Sequence, residues 1–353
     1  MNHTLIYLAL VAVSFAVTVL FMPVAQIMGR RMQAWDVPDE LSHQNHVFHI
    51  ARTGGIAMAA GTYCGFLLML AVVPHQFVGR ALAGAMVGGG LAFVTGLLDD
   101  LHEIKPWVKA VLLAAAAIAG VSIFPHVDIT GWVRLDFLLA VFWLLGLSNA
   151  LNLMDGMDGL AAGMATAATL GLLAVSLALG ASFGQGFKLV LIGACLGFLV
   201  FNRPPARIFM GDCGSLMVGI HLGGLSLSTI KSGSQAIIPV LLVMSPLLLD
   251  TFLAMLRRLL RGDDLFTGDR SHIYDVIHRQ WFSAWQVVSR MWALGLAFSA
   301  LGLAACFLTV KWQAALLAGS WLLVIYSMVR RGMFGPEPPS NREDRLWDRE
   351  PPE

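Results

Sequence analysis

The stretch from Leu135 to Ala181, LDFLLAVFWLLGLSNALNLMDGMDGLAAGMATAATLGLLAVSLALGA, holds two apolar runs, 135–153 and 158–181, that almost touch. Each is long enough to cross a hydrocarbon layer of roughly 30 Å as a helix. A chain that leaves and re-enters lipid across so few polar residues must satisfy its own backbone hydrogen bonds, which a spanning helix does. Working outward, comparable runs recur at 4–28, 54–74, 80–98, 107–124, 187–201, 213–230, 235–257, 287–308 and 312–330. The expected architecture is an all-α polytopic membrane protein of eleven helices. Ten is the alternative, because 187–201 and 213–230 are short and 135–153 abuts 158–181. A transmembrane barrel would need strict alternation over segments of roughly ten residues, and the sequence shows none.

Composition agrees, since 57% of the 353 residues are hydrophobic and only 13% charged, too few polar groups to cover a water-soluble surface. The first span has no Lys or Arg before it and no small-residue cleavage signal after it, so a retained helix is expected. Residues 1–334 read as one transmembrane domain. The segment 335–353 is rich in Pro and charge, as disordered tails are.

Positive charge marks the sides. Short cytoplasmic loops are enriched in Lys and Arg. With the N-terminus outside, every Lys and Arg falls inside except Arg80, Arg134, Lys188, Lys231 and Lys311, one to each outer loop. The odd helix count then puts the C-terminus in the cytoplasm. A net charge of +1 gives no support for nucleic-acid binding. Cys64, Cys195, Cys213 and Cys306 lie in or beside spans without metal-ligand spacing and read as packing residues.

On the cytoplasmic side lie three acidic stations: Asp99-Asp100, the run Asn149 to Gly159 with Asn152, Asp155 and Asp158, and Gly211-Asp212-Cys213-Gly214. A carboxylate costs about 3 kcal/mol at the bilayer centre, so acids beside long apolar runs call for water, a cation or a function. Any single pair could be a solvated helix end. Three on one face, in loops this short, point to a shared site. Adjacent carboxylates are relieved by a divalent cation, and hard oxygen ligands suit Mg²⁺ or Mn²⁺, which in turn suit phosphates. The steps of three from Asn149 to Asp158 drift around a helix, and Gly156 and Gly159 loosen it, so a partly broken turn is expected. Asp212 precedes a helix N-terminus, where N–H groups and the helix dipole favour anions.

Basic candidates on the same face are Arg270 and His272 in the long polar loop 257–286. Arg257, Arg258 and Arg261 are equally well explained by the charge asymmetry of membrane proteins. The first inner loop offers Asp36, His43, His46, His49 and Arg52, and its three histidines make a weak zinc pattern. Asp250 stands apart inside the ninth span, where it needs a polar partner or approaches the site from behind.

Through Asp99-Asp100, Asn149 to Gly159, Phe209 to Ser215, Pro246 to Asp250 and Asp269 to His272, the chain resembles the polyprenyl-phosphate N-acetylhexosamine-1-phosphate transferases. These move a sugar-1-phosphate from a UDP-sugar to a lipid phosphate. The resemblance implies about ten or eleven helices around a cleft open to the cytoplasm of a bacterial inner membrane. It implies Mg²⁺ as cofactor, with Asp212 as main ligand and Asp100 beside it. Asp99 and Asp100 would lie at the lipid-phosphate end, Asp99 as base or nucleophile. Asn149, Asn152, Asp155 and Asp158 would serve the nucleotide and metal shell, Arg270 and His272 the diphosphate or sugar, and Asp36, His46 and Arg52 the early loop's substrate contacts. Expected partners are the UDP-sugar, polyprenyl phosphate, membrane lipid and a second copy of the chain. Two departures bear on the sugar. His272-Ile273-Tyr274-Asp275 stands where the family often has His-Ile-His-His, and Asn45, His49 and Ala51 replace the usual basic and proline positions around His46. The histidine-rich late loop of the muramoyl-pentapeptide transferases is absent, which argues against a peptidoglycan precursor.

A cation- or proton-coupled transporter is the rival reading. It requires carboxylates near mid-bilayer on paired repeats. Only Asp250 approaches that depth, and no repeat is evident.

Overall fold

The computed structural model describes residues 3–36, 50–72, 79–181, 184–231, 233–262, 272–280 and 282–335. Among them are eleven helices long and apolar enough to cross a membrane. They are α1 (His3–Met32), α2 (Gly54–Val72), α3 (Arg80–His102), α4 (Pro106–Ile123), α5 (Val133–Met154), α6 (Leu160–Ala178), α7 (Gln185–Asn202), α8 (Gly211–Ile230), α9 (Ile237–Arg261), α11 (Ala284–Ala305) and α12 (Val310–Arg330). A short α10 (Ile273–His278) lies between α9 and α11, and two two-residue strands, β1 (Trp35–Asp36) and β2 (Ile50–Ala51), pair antiparallel. The eleven-helix reading therefore holds over the ten-helix alternative: α5 and α6 are separate, and α7 and α8 are each of membrane length. His43, His46, His49, Asp269, Arg270 and the tail 336–353 fall outside the described residues.

Boundaries follow local chemistry. Pro106 opens α4, where its missing N–H costs nothing. Gly159, at φ 75°, separates α5 from α6, giving the broken turn that its sequence implied. The helix α3 runs on through Asp99 and Asp100, so that pair sits in its last turn rather than in the loop beyond it.

The helix α8 is the axis of the molecule. All of its membrane window is buried, and α3, α5, α2 and α6 pack around it. Small residues permit this, as is usual where lipid supplies no hydrophobic drive between helices. Gly96 of α3 lies so close that a Cβ there would fall 2.3 Å from the Asp212 carbonyl carbon. Ser228 and Thr229 of α8 donate to Leu225 O, whereas both ring nitrogens of the buried His221 have no hydrogen-bond partner among the described residues. By contrast α12 exposes Leu322, Leu323 and Tyr326.

A short backbone weave fixes the N-terminus of α8. Arg52 N donates to Ala34 O, Phe209 N to Ala51 O, Gly54 N to Phe209 O and Gly55 N to Met210 O. The strand pair and the turn before α8 thus form one unit, bringing Arg52 to the end of the bundle where α3, α5 and α8 carry their carboxylates.

Candidate active site

The acidic stations meet in one cleft of about 490 Å³, lined among others by Arg52, Asp99, Asp100, Asn152, Asp155, Asp212, His272 and Tyr274. Ligand pockets for small molecules commonly span roughly 300–1,000 Å³.

Asp100 reaches across from α3 to α8. Its two oxygens accept the backbone N–H groups of Asp212 and Cys213, each at 2.9 Å. The anion expected at the α8 N-terminus is therefore a carboxylate of the chain itself, held by charge-assisted bonds and the helix dipole. Gly211, at φ 70°, makes the approach: a Cβ there would meet Arg52 O at 2.1 Å and Asp100 Oδ2 at 2.7 Å. Each carboxylate oxygen can accept more than one bond, so Asp100 keeps a face for a cation.

Asp212 stands in the first turn of α8, its Oδ1 accepting from Asn152 Nδ2 at 2.9 Å. The same amide donates to Ser215 Oγ at 2.9 Å, which in turn donates to Gly211 O. The other Asp212 oxygen takes a short contact from Lys109 Nζ, which also pairs with Asp99 Oδ2 at 3.1 Å. Lys109 thus bridges the acids of α3 and α8. Sequence reasoning counted it only as cytoplasmic charge; its place in the first turn of a helix starting on the acidic side was the available signal.

Asp155 caps the end of α5 in the cleft wall. Burial pushes its carboxyl well above the ordinary range, and the Asp100 and Asp158 carboxylates push the same way. Asp158 itself turns aside: its Oδ2 accepts Ala206 N at 2.8 Å and so anchors the α7–α8 connection. Asn202 braces the same turn, accepting from Gly159 N and donating to Ile208 O, each at 2.8 Å. Asn149 lies exposed on α5, away from the residues that line the cleft. Asp36 is placed only through its backbone, paired with Ile50.

Asp250 finds the partner that its depth demanded. Its Oδ2 lies 2.7 Å from His272 Nδ1, and its Oδ1 accepts Ile273 N at 2.7 Å. His272, only 2% exposed, lies parallel to Tyr274 at 5.5 Å, and both line the cleft. Tyr274 donates to Leu153 O at 3.3 Å, while Asp275 closes a capping box on α10 by accepting His272 N at 3.1 Å. Of the two unusual residues in this motif, Tyr274 faces the cleft and Asp275 stabilises a helix end. Burial pushes the Asp275 carboxyl up to about 6.

Burial alone would lower the His272 imidazolium, but the Asp250 carboxylate outweighs it and holds the ring above its ordinary 6.5. The stabilisation this supplies is complete below pH 6.5 and lost as the pH rises through the elevated native value. Wild type should exceed Asp250→Asn in stability by about 2 kcal/mol at pH 6, with a smaller gap at pH 9. Thermal unfolding midpoints in detergent across that range check it; a gap independent of pH would separate the pair's stability from the titration of His272.

The donors facing the cleft are suited to a hard cation. Asp99, Asp212 and Asp155 present carboxylate oxygens and Asn152 an amide, the chemistry that Mg²⁺ or Mn²⁺ prefers. A cation there would oppose the burial and the Asp100 charge that together raise Asp155.

The sequence profile of glycosyl transferase family 4 matches residues 82–230, which carry all three acidic stations. Among curated proteins, the chain is 30% identical over 301 residues to the "Probable undecaprenyl-phosphate N-acetylglucosaminyl 1-phosphate transferase" of Bacillus subtilis (strain 168), covering 81% of each. It is 31% identical over 314 residues to the "Phospho-N-acetylmuramoyl-pentapeptide-transferase" of Limosilactobacillus fermentum, covering 82% of this chain and 94% of that one. Identity to the "Decaprenyl-phosphate N-acetylglucosaminephosphotransferase" of Mycolicibacterium smegmatis is 30% over 334 residues, covering 83% and 82%.

Proposed function

This chain belongs to glycosyl transferase family 4, and from that premise we propose that it transfers N-acetylhexosamine-1-phosphate, GlcNAc-1-phosphate in the first place, from a UDP-sugar to undecaprenyl phosphate. The reaction releases UMP at the cytoplasmic face of a bacterial inner membrane and starts a lipid-linked cell-envelope glycan such as O-antigen, teichoic acid or exopolysaccharide. The observation that carries the reading is the convergence of Asp99 and Asp212 on Lys109, with Asn152 and Asp155 beside them, in one cleft at the membrane end of the bundle. A transporter gains no support: Asp250, the deep carboxylate of that reading, is bonded to His272 and the α10 backbone.

In this mechanism an oxygen of the lipid phosphate attacks the sugar-bearing phosphorus of the UDP-sugar, and the bond from that phosphorus to the bridging oxygen breaks as UMP leaves. Such a transfer needs positioning and charge neutralisation more than covalent chemistry. Asp99 lies at the lipid end and accepts the proton of the incoming phosphate. Asn152 and Lys109 hold the Asp212 carboxylate in one orientation, and Asp100 fixes the α8 turn that presents it. Arg52 offers a guanidinium to phosphate oxygens from the strand pair. His272, set by Asp250, donates toward the diphosphate or sugar, with Tyr274 shaping the sugar end. Asp212 and Asp100 would hold Mg²⁺, with Asp155 in the same cleft, and the ion would neutralise charge on the leaving phosphate.

The GlcNAc preference rests on the late motif, where His272-Ile273-Tyr274-Asp275 lacks the histidine-rich stretch of the muramoyl-pentapeptide enzymes. Purified protein with a short polyprenyl phosphate, Mg²⁺ and a panel of radiolabelled UDP-sugars should give a lipid-linked product with UDP-GlcNAc and none with the muramoyl-pentapeptide nucleotide. EDTA should abolish it. A rate indifferent to EDTA would overturn the mechanism, and a product from the muramoyl nucleotide would overturn the sugar. Exchange of labelled UMP into UDP-sugar without lipid would show attack by Asp99 itself instead of proton acceptance.

A further inference from the structure

At the end of the bundle opposite the acidic cleft, a second group of potential ligands plays no part in the chemistry above. The helix α4 leads away from the cleft for 18 residues, about 27 Å at 1.5 Å per residue, and α5 returns. Between them, the connecting segment alternates: His126 and Asp128 are exposed, Val127 is buried and Ile129 packs on the core. This puts the imidazole and the carboxylate on one side of the segment. Asp136, in the first turn of α5, faces them, and one ligand atom from each of the three residues lies within 4.8 Å of the others.

The decisive atom is Asp136 Oδ2. Asp136 is only 2% exposed. Its Oδ1 is satisfied twice, accepting Thr130 N at 2.9 Å and Thr130 Oγ1 at 2.8 Å. Its Oδ2 is buried with no hydrogen bond and points at His126, whose Nε2 lies 3.4 Å away. A buried carboxylate oxygen with no hydrogen bond, facing a half-exposed imidazole at ion-pair distance, is costly and calls for an explanation, an ion among them. Asp128 is prepared in the same way, since its Oδ1 accepts Gly131 N at 3.0 Å. Both carboxylates are thus held by the turn through one oxygen, and the half-exposed His126 ring can close by a small side-chain movement.

We propose that His126, Asp128 and Asp136 form a second metal site, for a divalent transition-metal ion of the Zn²⁺ class, clamping the α4–α5 connection. One imidazole and two carboxylates make a donor set of intermediate softness. Imidazole selects Zn²⁺ and its neighbours over Mg²⁺, which prefers oxygen alone. With three protein ligands, a four-coordinate ion keeps one position for water.

The test uses untagged full-length protein in detergent with excess Mg²⁺, equilibrated with ZnCl₂, washed, and measured for bound zinc by mass spectrometry. His126→Ala and Asp128→Asn should each hold about one zinc fewer per chain than wild type, whereas Asp212→Asn should hold as much as wild type. Zn²⁺ should raise the thermal unfolding midpoint of wild type more than that of His126→Ala, and Co²⁺ should give a visible absorption band that His126→Ala lacks. Both substituted residues are exposed, and the midpoint without metal verifies that the variants fold. Equal zinc in wild type and His126→Ala, or loss of that zinc in Asp212→Asn, would overturn the proposal. So would a plain His126–Asp136 ion pair, seen as a pH-dependent midpoint indifferent to Zn²⁺. None of these readouts depends on transferase activity.

Discussion

Replacing Asp212 with Asn should lower the rate of sugar-phosphate transfer by roughly a thousandfold, a loss of about 4 kcal/mol of transition-state stabilisation, and should leave the fold intact. The substitution preserves shape and can still accept from Asn152, whose amide lies 2.9 Å from Oδ1. What disappears is the negative charge by which the first turn of α8 would hold Mg²⁺ against the leaving phosphate. The fall should be in kcat more than in KM, because the interaction strengthens as charge develops. A steady-state comparison beside the thermal midpoint checks this. A drop of less than tenfold would remove the Asp212 carboxylate from the reacting centre.

Lys109→Met is the second large effect, and it separates two roles of the same ammonium. Lys109 ties Asp99 to Asp212, so without it these carboxylates lose the charge that holds them in register, and kcat should fall about a hundredfold. Yet the ammonium would also compete with a divalent cation for the Asp212 carboxylate. Removing it should lower the Mg²⁺ concentration for half-maximal rate several-fold, since one positive charge near the site is worth on the order of 1 kcal/mol or more. Methionine keeps the apolar stem and the packing of the first turn of α4. Titrating Mg²⁺ against rate for both proteins gives the two numbers together, and a higher Mg²⁺ requirement in the variant would show that Lys109 supports the ion instead of competing with it.

The helices were legible because lipid imposes a length and an apolar character that each span must meet alone, so 54–74 or 107–124 needed no knowledge of its neighbours. The broken turn at Asp155–Gly159 was likewise local, written in glycine spacing. The gathering of Asp99, Asp155 and Asp212 followed from counting passes across the membrane. Relations between distant segments were not written locally. Asp100 and Cys213 lie 113 residues apart, and nothing near either says that one caps the other's helix. Asp158 shares its motif with Asp155 but faces the Ala206 amide, and Asn149 drifts off the cleft because three residues fall short of a full helical turn. Lys109 was hidden by a rule that treats every inner Lys alike. The pairing of Asp250 with His272 was half visible: burial demanded a polar partner, but only folding α10 against α9 chose it.

Because α8 touches no lipid along its membrane window, the depth of Asp212 is set by α3, α5, α2 and α6, not by the bilayer. Changes in hydrocarbon thickness act first on the outer helices, α12 above all, whose large apolar side chains face outward and can tilt to restore the match at a fraction of a kcal/mol per Å. The candidate carboxylates around Asp212 would thereby be insulated from changes in bilayer thickness.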